Sequence, residues 1–418
     1  MIAAADGEAA TLPAAARTPT RRYEARRKAI LASAVEELNR KGLRGMTLGE
    51  VAAKLDLVPT AVIYYFRNKE ELAAACFLQA IARFEALIAA GLAQPRARER
   101  IAAFVGAFFA FKQACEAGEA ERIAVFNDMR ALNSAAVNGT YEALFRHARE
   151  LLDDADRASL PRLHRNARTH LLLSEIFWAV AWLKDFEFAD YGRAAARMTA
   201  IITEGLAAPG QPWPQRRPLD LTHADDPSAQ ASSELFLRAA TELINAEGYH
   251  GASVERISAR LKVSKGAFYH HNETKDELVM ACFQRAFDIM WRAIRAAEAA
   301  GGSALEVLVS LSSALVEYQL RGAAPLLRAS AMTTAPEALQ PELMAKFDRI
   351  SHRFAAIISD GIGDGSIRPI DVNVAAQMIT AMINAAAELH YFAPGLTPEA
   401  AADHYVRPFF QGLLSPAD

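Results

Sequence analysis

The side chains most able to do chemistry in this chain lie in two similar stretches, at positions 47–72 and 253–278. Each stretch places hydroxyl, aromatic or imidazole groups a few residues before a lysine, and these groups can hydrogen-bond to the phosphates and base edges of nucleic acid. The sequence has no phosphate-binding loop and no GxSxG, HExxH or CxxC pattern. We therefore expect binding chemistry, with no catalytic residue, no metal site and no cofactor.

The two stretches belong to a longer internal repeat. A shift of 206 residues aligns Ile30–Ala80 with the second copy without a gap, and 16 of the 51 aligned residues are identical. Self-similarity of this kind indicates two copies of one structural unit. At 418 residues, the chain also has the length of two domains.

Each copy is predicted to form two short helices followed by a long one. In the first copy, Thr47 and Glu50 have the spacing of a helix cap, and Pro59 is tolerated at the start of the next helix. Val62 and Phe66 form the apolar stripe of that helix. The residues left on its other faces, free to contact a partner, are Thr60, Ala61, Tyr64 and Tyr65. Two short helices joined by a tight turn match the motif that places its second helix in the DNA major groove.

These motifs resemble the TetR family of one-component transcriptional regulators, most strongly over 26–72 and 232–278. The family pattern is a helix ending at Gly, then T-x-x-x-[VI]-A-x-x-x-x-[LV], [YH]-[YH]-F and [NT]-K-[ED]-E-L. This sequence departs from it at Ile63, where the family has Tyr, and at Asn272, where it has Phe. The resemblance implies a set of DNA contacts: Arg22, Arg26, Thr47, Pro59, Thr60, Ala61, Tyr64, Tyr65, Lys69, Ser253, Ser264, Lys265, Gly266, Tyr269, His270, His271 and Lys275.

The predicted fold class is all-α, because no stretch alternates with period two for long enough to predict a sheet. We expect two tandem TetR-like units, each a helix-turn-helix head followed by a helical bundle for ligand binding and dimerisation. The predicted segments are a disordered, basic-ended arm (1–21), a first head (22–72), a first regulatory domain (73–208), a proline-rich linker (209–231), a second head (232–278) and a second regulatory domain (279–418).

Charge is distributed unequally between the two heads. Residues 17–72 contain twelve Lys and Arg against seven Asp and Glu, a balance of +5, whereas residues 228–280 contain six against seven, a balance of −1. Phosphate neutralisation supplies most of the sequence-independent affinity for DNA. We expect the first head to contribute most of the affinity and the DNA target to be asymmetric.

The helical bundles are predicted to hold a small, apolar effector, which is common among TetR relatives. Aromatic and methionine side chains would line such a site, although most side chains of this kind form core packing. The candidates are Phe108, Phe126, Met129, Trp178, Trp182, Tyr318 and Met382, with Glu175 and Asn384 among the polar groups that would orient the ligand.

The function predicted is therefore a sequence-specific transcriptional regulator, a repressor, whose binding to double-stranded operator DNA responds to a small molecule. A second hypothesis is a ligand-sensing or protein-interaction module in which one or both heads have lost DNA binding. Because one chain carries both heads, we expect an intrachain pseudo-dimer, with a homodimer as the alternative. Three cysteines without metal-ligand spacing and no apolar run of membrane length indicate a cytoplasmic protein with no membrane partner.

Overall fold

A computed structural model of the protein describes residues 21–154, 160–221, 229–263, 274–322, 326–328, 331, 335–336 and 338–416. Within these residues all regular structure is helical, and backbone pairing of the β type is limited to one bridge between Ala207 and Ile367. The prediction of an all-α fold is confirmed. Of the predicted arm (1–21), residues 1–20 lie outside the described residues, and Arg21 is the first residue of a helix.

The described part of the first unit contains eight α-helices and short 3₁₀ segments, the longest at Phe126–Leu132. Its long helix, α4, packs against α1, α5 and α6, and it is the central element of this unit. The helices are α1 (Arg21–Gly45), α2 (Leu48–Ala53), α3 (Pro59–Ile63), α4 (Lys69–Leu92), α5 (Ala97–Glu116), α6 (Ala135–Glu150), α7 (Arg162–Trp182) and α8 (Tyr191–Glu204).

The second unit repeats the plan within its described residues. Its long helix, α11, packs against α9, α12 and α13, and the chain then returns through α14 to two short helices near the C-terminus. The helices are α9 (Ala229–Gly251), α10 (Val254–Leu261), α11 (Lys275–Ala300), α12 (Ala304–Arg321), α13 (Gln340–Asp364), α14 (Val372–Ala385), α15 (Leu389–Phe392) and α16 (Arg407–Gln411).

Equivalent positions of the repeat adopt the same special conformations. Gly42 and Gly248 interrupt the first helix of each unit with φ of 69° and 73°, a region that favours glycine because it has no Cβ. Asp56 and Lys262 occupy the turn after the second helix in left-handed conformations, with φ of 54° and 57°. The repeat in the sequence therefore corresponds to a repeat in backbone geometry.

The last helices of the two units pack against each other within the chain. Helices α7 and α8 contact α14, and α8 also contacts α16. At the end of this interface the two chain segments exchange backbone hydrogen bonds, from Leu206 N–H to the Phe410 carbonyl and from Leu413 N–H to the Ile202 carbonyl, both 2.8 Å. Gly205 and Gly412 lie at this crossing, and both have positive φ. The arrangement has the reciprocal contacts of a two-fold interface formed inside one chain.

The two heads also touch, through the ends of α1 and α9. A Cβ on Gly45 would lie 2.6 Å from His250 Cδ2, and a Cβ on the equivalent Gly251 would lie 3.2 Å from Arg44 Cγ. Arg44 also pairs with Glu247 at 3.4 Å. Small residues at both positions allow the two helices to approach closely.

The segment after α8 is without helix as far as residue 221, as its prolines predict, and it lies along the second unit. Arg217 N–H donates to Ser310 Oγ at 3.1 Å, and Arg292 donates to the Leu221 carbonyl at 2.8 Å. Trp213 contacts the ring of Phe410. The connection between the units is thus held by contacts along part of its length.

One described helix, Lys69–Leu92, is long and apolar enough by length and composition to cross a membrane, and half of its most apolar window is buried inside the protein. It is α4, the core helix of the first unit. Leu72, Phe77 and Ile81 on it are fully buried, and burial of this kind accounts for its apolar composition. The cysteines are free and buried.

Candidate functional site

The first head is a small, well-packed helix-turn-helix. The side chain of Thr47 accepts from the Glu50 backbone N–H and so caps α2, as its spacing predicts. Val51, Val62 and Phe66 are buried between α2, α3 and the rest of the head. The guanidinium of Arg27 lies 5.1 Å from the centre of the Phe66 ring. This packing fixes the direction in which α3 projects its outer face.

The outer face of α3 carries the residues predicted to contact DNA. Pro59, Thr60 and Tyr64 are exposed, and Tyr64 has 74% of its surface accessible. Tyr64 and Tyr65 form an aromatic cluster with Tyr23 of α1, with ring centres 4.7–6.1 Å apart. Other predicted DNA contacts on this side of the head are exposed or half-buried: Arg22, Arg26, Thr47 and Ala61.

The two lysines predicted to contact phosphates point back toward the first helix of their own head. Lys69 Nζ donates to the carbonyls of Leu43 at 3.2 Å and Arg44 at 3.4 Å. Lys275 Nζ lies 3.9 Å from the centre of the Tyr249 ring, and burial lowers the pKa of this lysine. Each lysine therefore stabilises the end of a first helix in this structure, a role that sequence reasoning did not predict.

The second head is described only in part. Ser253 caps α10 by accepting from the Arg256 backbone N–H, and Thr274 and Glu277 form a capping box at the start of α11. The remaining predicted contacts of this head lie outside the described residues: Ser264, Lys265, Gly266, Tyr269, His270 and His271, together with Asn272.

Two adjoining cavities lie between the units. The first, here called the apolar cavity, has a volume of about 160 Å³. Three predicted ligand residues line it, Phe126, Met129 and Trp178, together with the predicted polar residue Asn384. Other lining residues come from both units: Arg130, Tyr141, Phe145, His170, Leu173, Ser174, Phe177, Arg328, Ala381, Ala385, Glu388 and Phe392.

The second cavity, here called the arginine cavity, has a volume of about 330 Å³ and shares Met129, Arg130, Tyr141, Phe145 and Phe392 with the first. Its further lining is mostly polar and includes three more arginines: Asn138, Glu142, Arg146, Arg149, Arg162, Asn166, Tyr391 and Pro394. The two cavities therefore join an aromatic surface to a positively charged one.

The other four predicted ligand residues do not line these cavities. Phe108, Trp182 and Met382 are buried in the core, as is usual for aromatic and methionine side chains at helical spacing. The Tyr318 hydroxyl accepts from Arg285 at 2.9 Å, and its side chain lines a separate cavity beside the linker.

Two asparagines missed by the sequence reasoning connect the cavity walls to the heads. Asn39 of α1 donates to the Ile123 carbonyl and accepts from the Val125 N–H, both at 2.9 Å. Asn245, the equivalent residue of α9, donates to the Leu326 carbonyl and accepts from the Arg328 N–H, both at 2.9 Å. The sequence signal that could have identified them is that the same residue, asparagine, occupies this position in both copies of the repeat.

We call each pair of asparagine hydrogen bonds a clamp. The two segments that Asn39 and Asn245 hold in this way both lead into the apolar cavity. The first continues into Phe126 and Met129, and the second contains Arg328. Arg328 forms an ion pair with Glu388 at 2.6 Å, while its buried Nε has no hydrogen-bond acceptor among the described residues. Hydrogen bonds therefore connect the first helix of each head to a segment that reaches the apolar cavity.

Glu175 is a buried acid on α7 that lies outside the cavity lining. Both of its carboxyl oxygens lack a hydrogen-bond partner among the described residues, and burial raises its pKa well above the usual range. A carboxyl group in such surroundings is held in its neutral form at the pH values where an exposed glutamate is charged.

Comparison with known proteins identifies the family. Residues 30–76 and 236–282 both match the family described as bacterial regulatory proteins, tetR family, and residues 301–413 match a tetracyclin repressor-like C-terminal domain. This chain belongs to the TetR family of transcriptional regulators. The family matches fall on both heads and on the second helical bundle, so the tandem organisation predicted from the repeat is confirmed.

Individual TetR-family relatives match parts of the chain. It is 34% identical over 56 residues to the Transposon Tn10 TetC protein of Escherichia coli, which is 13% of this chain and 28% of that protein. It is 29% identical over 131 residues to the HTH-type transcriptional repressor DhaR of Mycobacterium sp. (strain GP1), which is 31% of this chain and 66% of the repressor. The chain thus spans less than two thirds of each relative.

Two solved structures each align with less than half of this chain. Apo AibR aligns over 43% of this chain and 99% of its own, with 21% identity and a TM-score of 0.37. The TetR family regulator PfmR from Thermus thermophilus aligns over 43% of this chain and 98% of its own, with 24% identity and a TM-score of 0.35.

Proposed function

We propose that this protein is a cytoplasmic transcriptional repressor that binds operator DNA and releases it in response to a small molecule bound between its two units. The observation that carries this proposal is the pair of asparagine clamps. Asn39 and Asn245 each join a head to a segment of the cavity wall through two hydrogen bonds. A ligand that moves the wall would therefore change the relative position of the heads.

DNA binding is proposed to depend mainly on the first head. Its α3 exposes Thr60 and Tyr64, and its charge balance of +5 exceeds the −1 of the second head. The proposed solution state is a single chain with an intrachain pseudo-dimer, because α7 and α8 already cover α14 and α16.

Fluorescence anisotropy with a labelled DNA fragment from upstream of its own gene tests DNA binding. Affinity should fall steeply as salt rises, and Tyr64→Ala should weaken binding to this fragment about tenfold with little effect on random DNA. Phe188→Ala removes an exposed aromatic ring outside the heads and is the matched control. Absence of salt-dependent binding by the intact chain would refute the proposal and favour a sensing module without DNA binding.

The coupling between the apolar cavity and the DNA-binding heads is tested by filling the cavity with a larger side chain in place of a ligand. Ser174 is half-buried in its lining, so Ser174→Trp should occupy the space and change DNA affinity severalfold. The same substitution combined with Asn39→Ala and Asn245→Ala should have a much smaller effect, since the clamps are gone. Asn373→Ala, on an exposed residue of α14, is the control. Equal effects with and without the clamps would contradict this route.

A further inference from the structure

The adjoining cavities differ in chemistry, and the difference indicates what kind of molecule fits both. In the apolar cavity, the rings of Phe126 and Phe177 lie 5.3 Å apart, and those of Phe145 and Phe392 stack at 4.8 Å. His170, buried and stacked on Phe392 at 4.5 Å, forms a hydrogen bond with the Ala385 carbonyl, which accepts it. Burial lowers the pKa of His170, so this wall favours the neutral imidazole and an apolar guest.

The arginine cavity carries positive charge without matching negative charge. Four arginines line it against a single acid, Glu142. Among the described residues, Arg130, Arg146 and Arg162 have no carboxylate within ion-pair distance. The cluster therefore leaves guanidinium donors available for an added anion, and such charge-assisted hydrogen bonds are among the stronger ones in proteins.

Neighbouring side chains hold the arginine cluster in place. Arg149 donates to Asn166 Oδ1 at 2.9 Å, and Asn166 Nδ2 donates to the Phe392 carbonyl at 2.9 Å. Arg130 lies over the Tyr391 ring with its guanidinium carbon 4.1 Å from the ring centre. Burial and the neighbouring Arg165 and Arg162 lower the pKa of Arg149, and Asp153 and Glu150 oppose this shift only in part.

We propose that the effector is an amphipathic anion, with an aromatic or aliphatic body in the apolar cavity and a carboxylate, sulfonate or phosphate group in the arginine cavity. Arg130, which lines both cavities, would contact the junction of the two parts. This inference rests on the proposed function, because it names the ligand class of the same site. We therefore expect the site to select ligands by their charge as well as by the size of their apolar part.

Two dyes with nearly the same ring system test the charge preference on the full-length protein. 8-Anilinonaphthalene-1-sulfonate carries a sulfonate, and N-phenyl-1-naphthylamine lacks it. Energy transfer from Trp178, which lines the apolar cavity, reports binding there, and Trp178→Phe shows how much of the signal comes from this site. The sulfonate should bind the wild type at least about tenfold more tightly than the neutral dye, the equivalent of about 1.4 kcal/mol.

The double variant Arg146→Ala/Arg162→Ala removes two exposed arginines. It should weaken the sulfonate about tenfold and leave the neutral dye within twofold, whereas Arg193→Ala, on an exposed residue of α8, should change neither. Equal affinity of the wild type for both dyes, or equal weakening of both by the double variant, would overturn the proposal. Selective sulfonate binding in a protein that binds no DNA would refute the proposed function and leave the ligand class intact.

Discussion

Substitution of Gly205 by alanine should destabilise the crossing between the two units. Gly205 has φ 71° and ψ −166°, a region open almost only to glycine, and forcing another residue into it costs about 1–3 kcal/mol. The added Cβ would also lie 2.2 Å from the Phe410 carbonyl oxygen and 2.5 Å from the Gly412 nitrogen. Relieving such overlap in a packed site costs a further 1–3 kcal/mol or so.

These backbone atoms cannot move freely, because hydrogen bonds from Leu206 and Leu413 hold the crossing from both sides. The total expected loss is therefore about 2–6 kcal/mol for the unfolding step that separates the units. Guanidinium unfolding followed by circular dichroism measures it. Gly412→Ala, at φ 95° with a Cβ position 2.5 Å from the Thr203 carbonyl oxygen, should behave similarly.

Gly106→Ala is the matched control. Gly106 lies inside α5, and a Cβ there would meet no atom within 4 Å, so alanine should stabilise the helix by about 0.5–1 kcal/mol. An unfolding midpoint for Gly205→Ala at or above that of the wild type would refute the description of this crossing as a close backbone contact that requires glycine.

Two further predictions concern charged groups. If Lys69 leaves its carbonyl partners for a phosphate, Lys69→Ala should lower the salt slope of DNA binding by about one unit. Binding titrations from 50 to about 200 mM salt measure the slope. An unchanged slope would show that Lys69 only stabilises α1. Because burial raises the folded-state pKa of Glu175, its folded form retains a proton that the unfolded chain loses above about pH 4.3. The free energy of unfolding should therefore decline as pH rises above that value, by up to about 1.4 kcal/mol per pH unit. Glu175→Gln should abolish this decline, which thermal melts at pH 5 and pH 8 measure. The same dependence of stability on pH in the wild type and in Glu175→Gln would contradict the prediction.

The local features of the fold were accessible from the sequence because they depend on neighbouring residues. The cap at Thr47 and the apolar stripe of Val62 and Phe66 both follow from short-range rules of helix formation. The repeat then identified the second unit, because two similar sequences are expected to adopt the same fold.

The cavities were not accessible in the same way. Their walls combine residues more than two hundred positions apart, such as Asn166 and Phe392, and no periodicity relates them. Of the aromatic candidates, Phe126 and Trp178 line the apolar cavity while Phe108 and Trp182 are core, although all occur at helical spacing. Which face of a helix meets a cavity rather than another helix depends on tertiary packing, which the sequence pattern does not encode.

The connection between the units, described as far as Leu221, has a consequence for how the protein behaves when dilute. Since the Arg217 and Leu221 contacts keep this connection against the second unit, the two units remain at an effective local concentration of the order of millimolar. Separation of the pair is then an intramolecular event whose equilibrium does not depend on the number of copies in the cell. A regulator of this design can keep two heads together at abundances where a two-chain counterpart would dissociate.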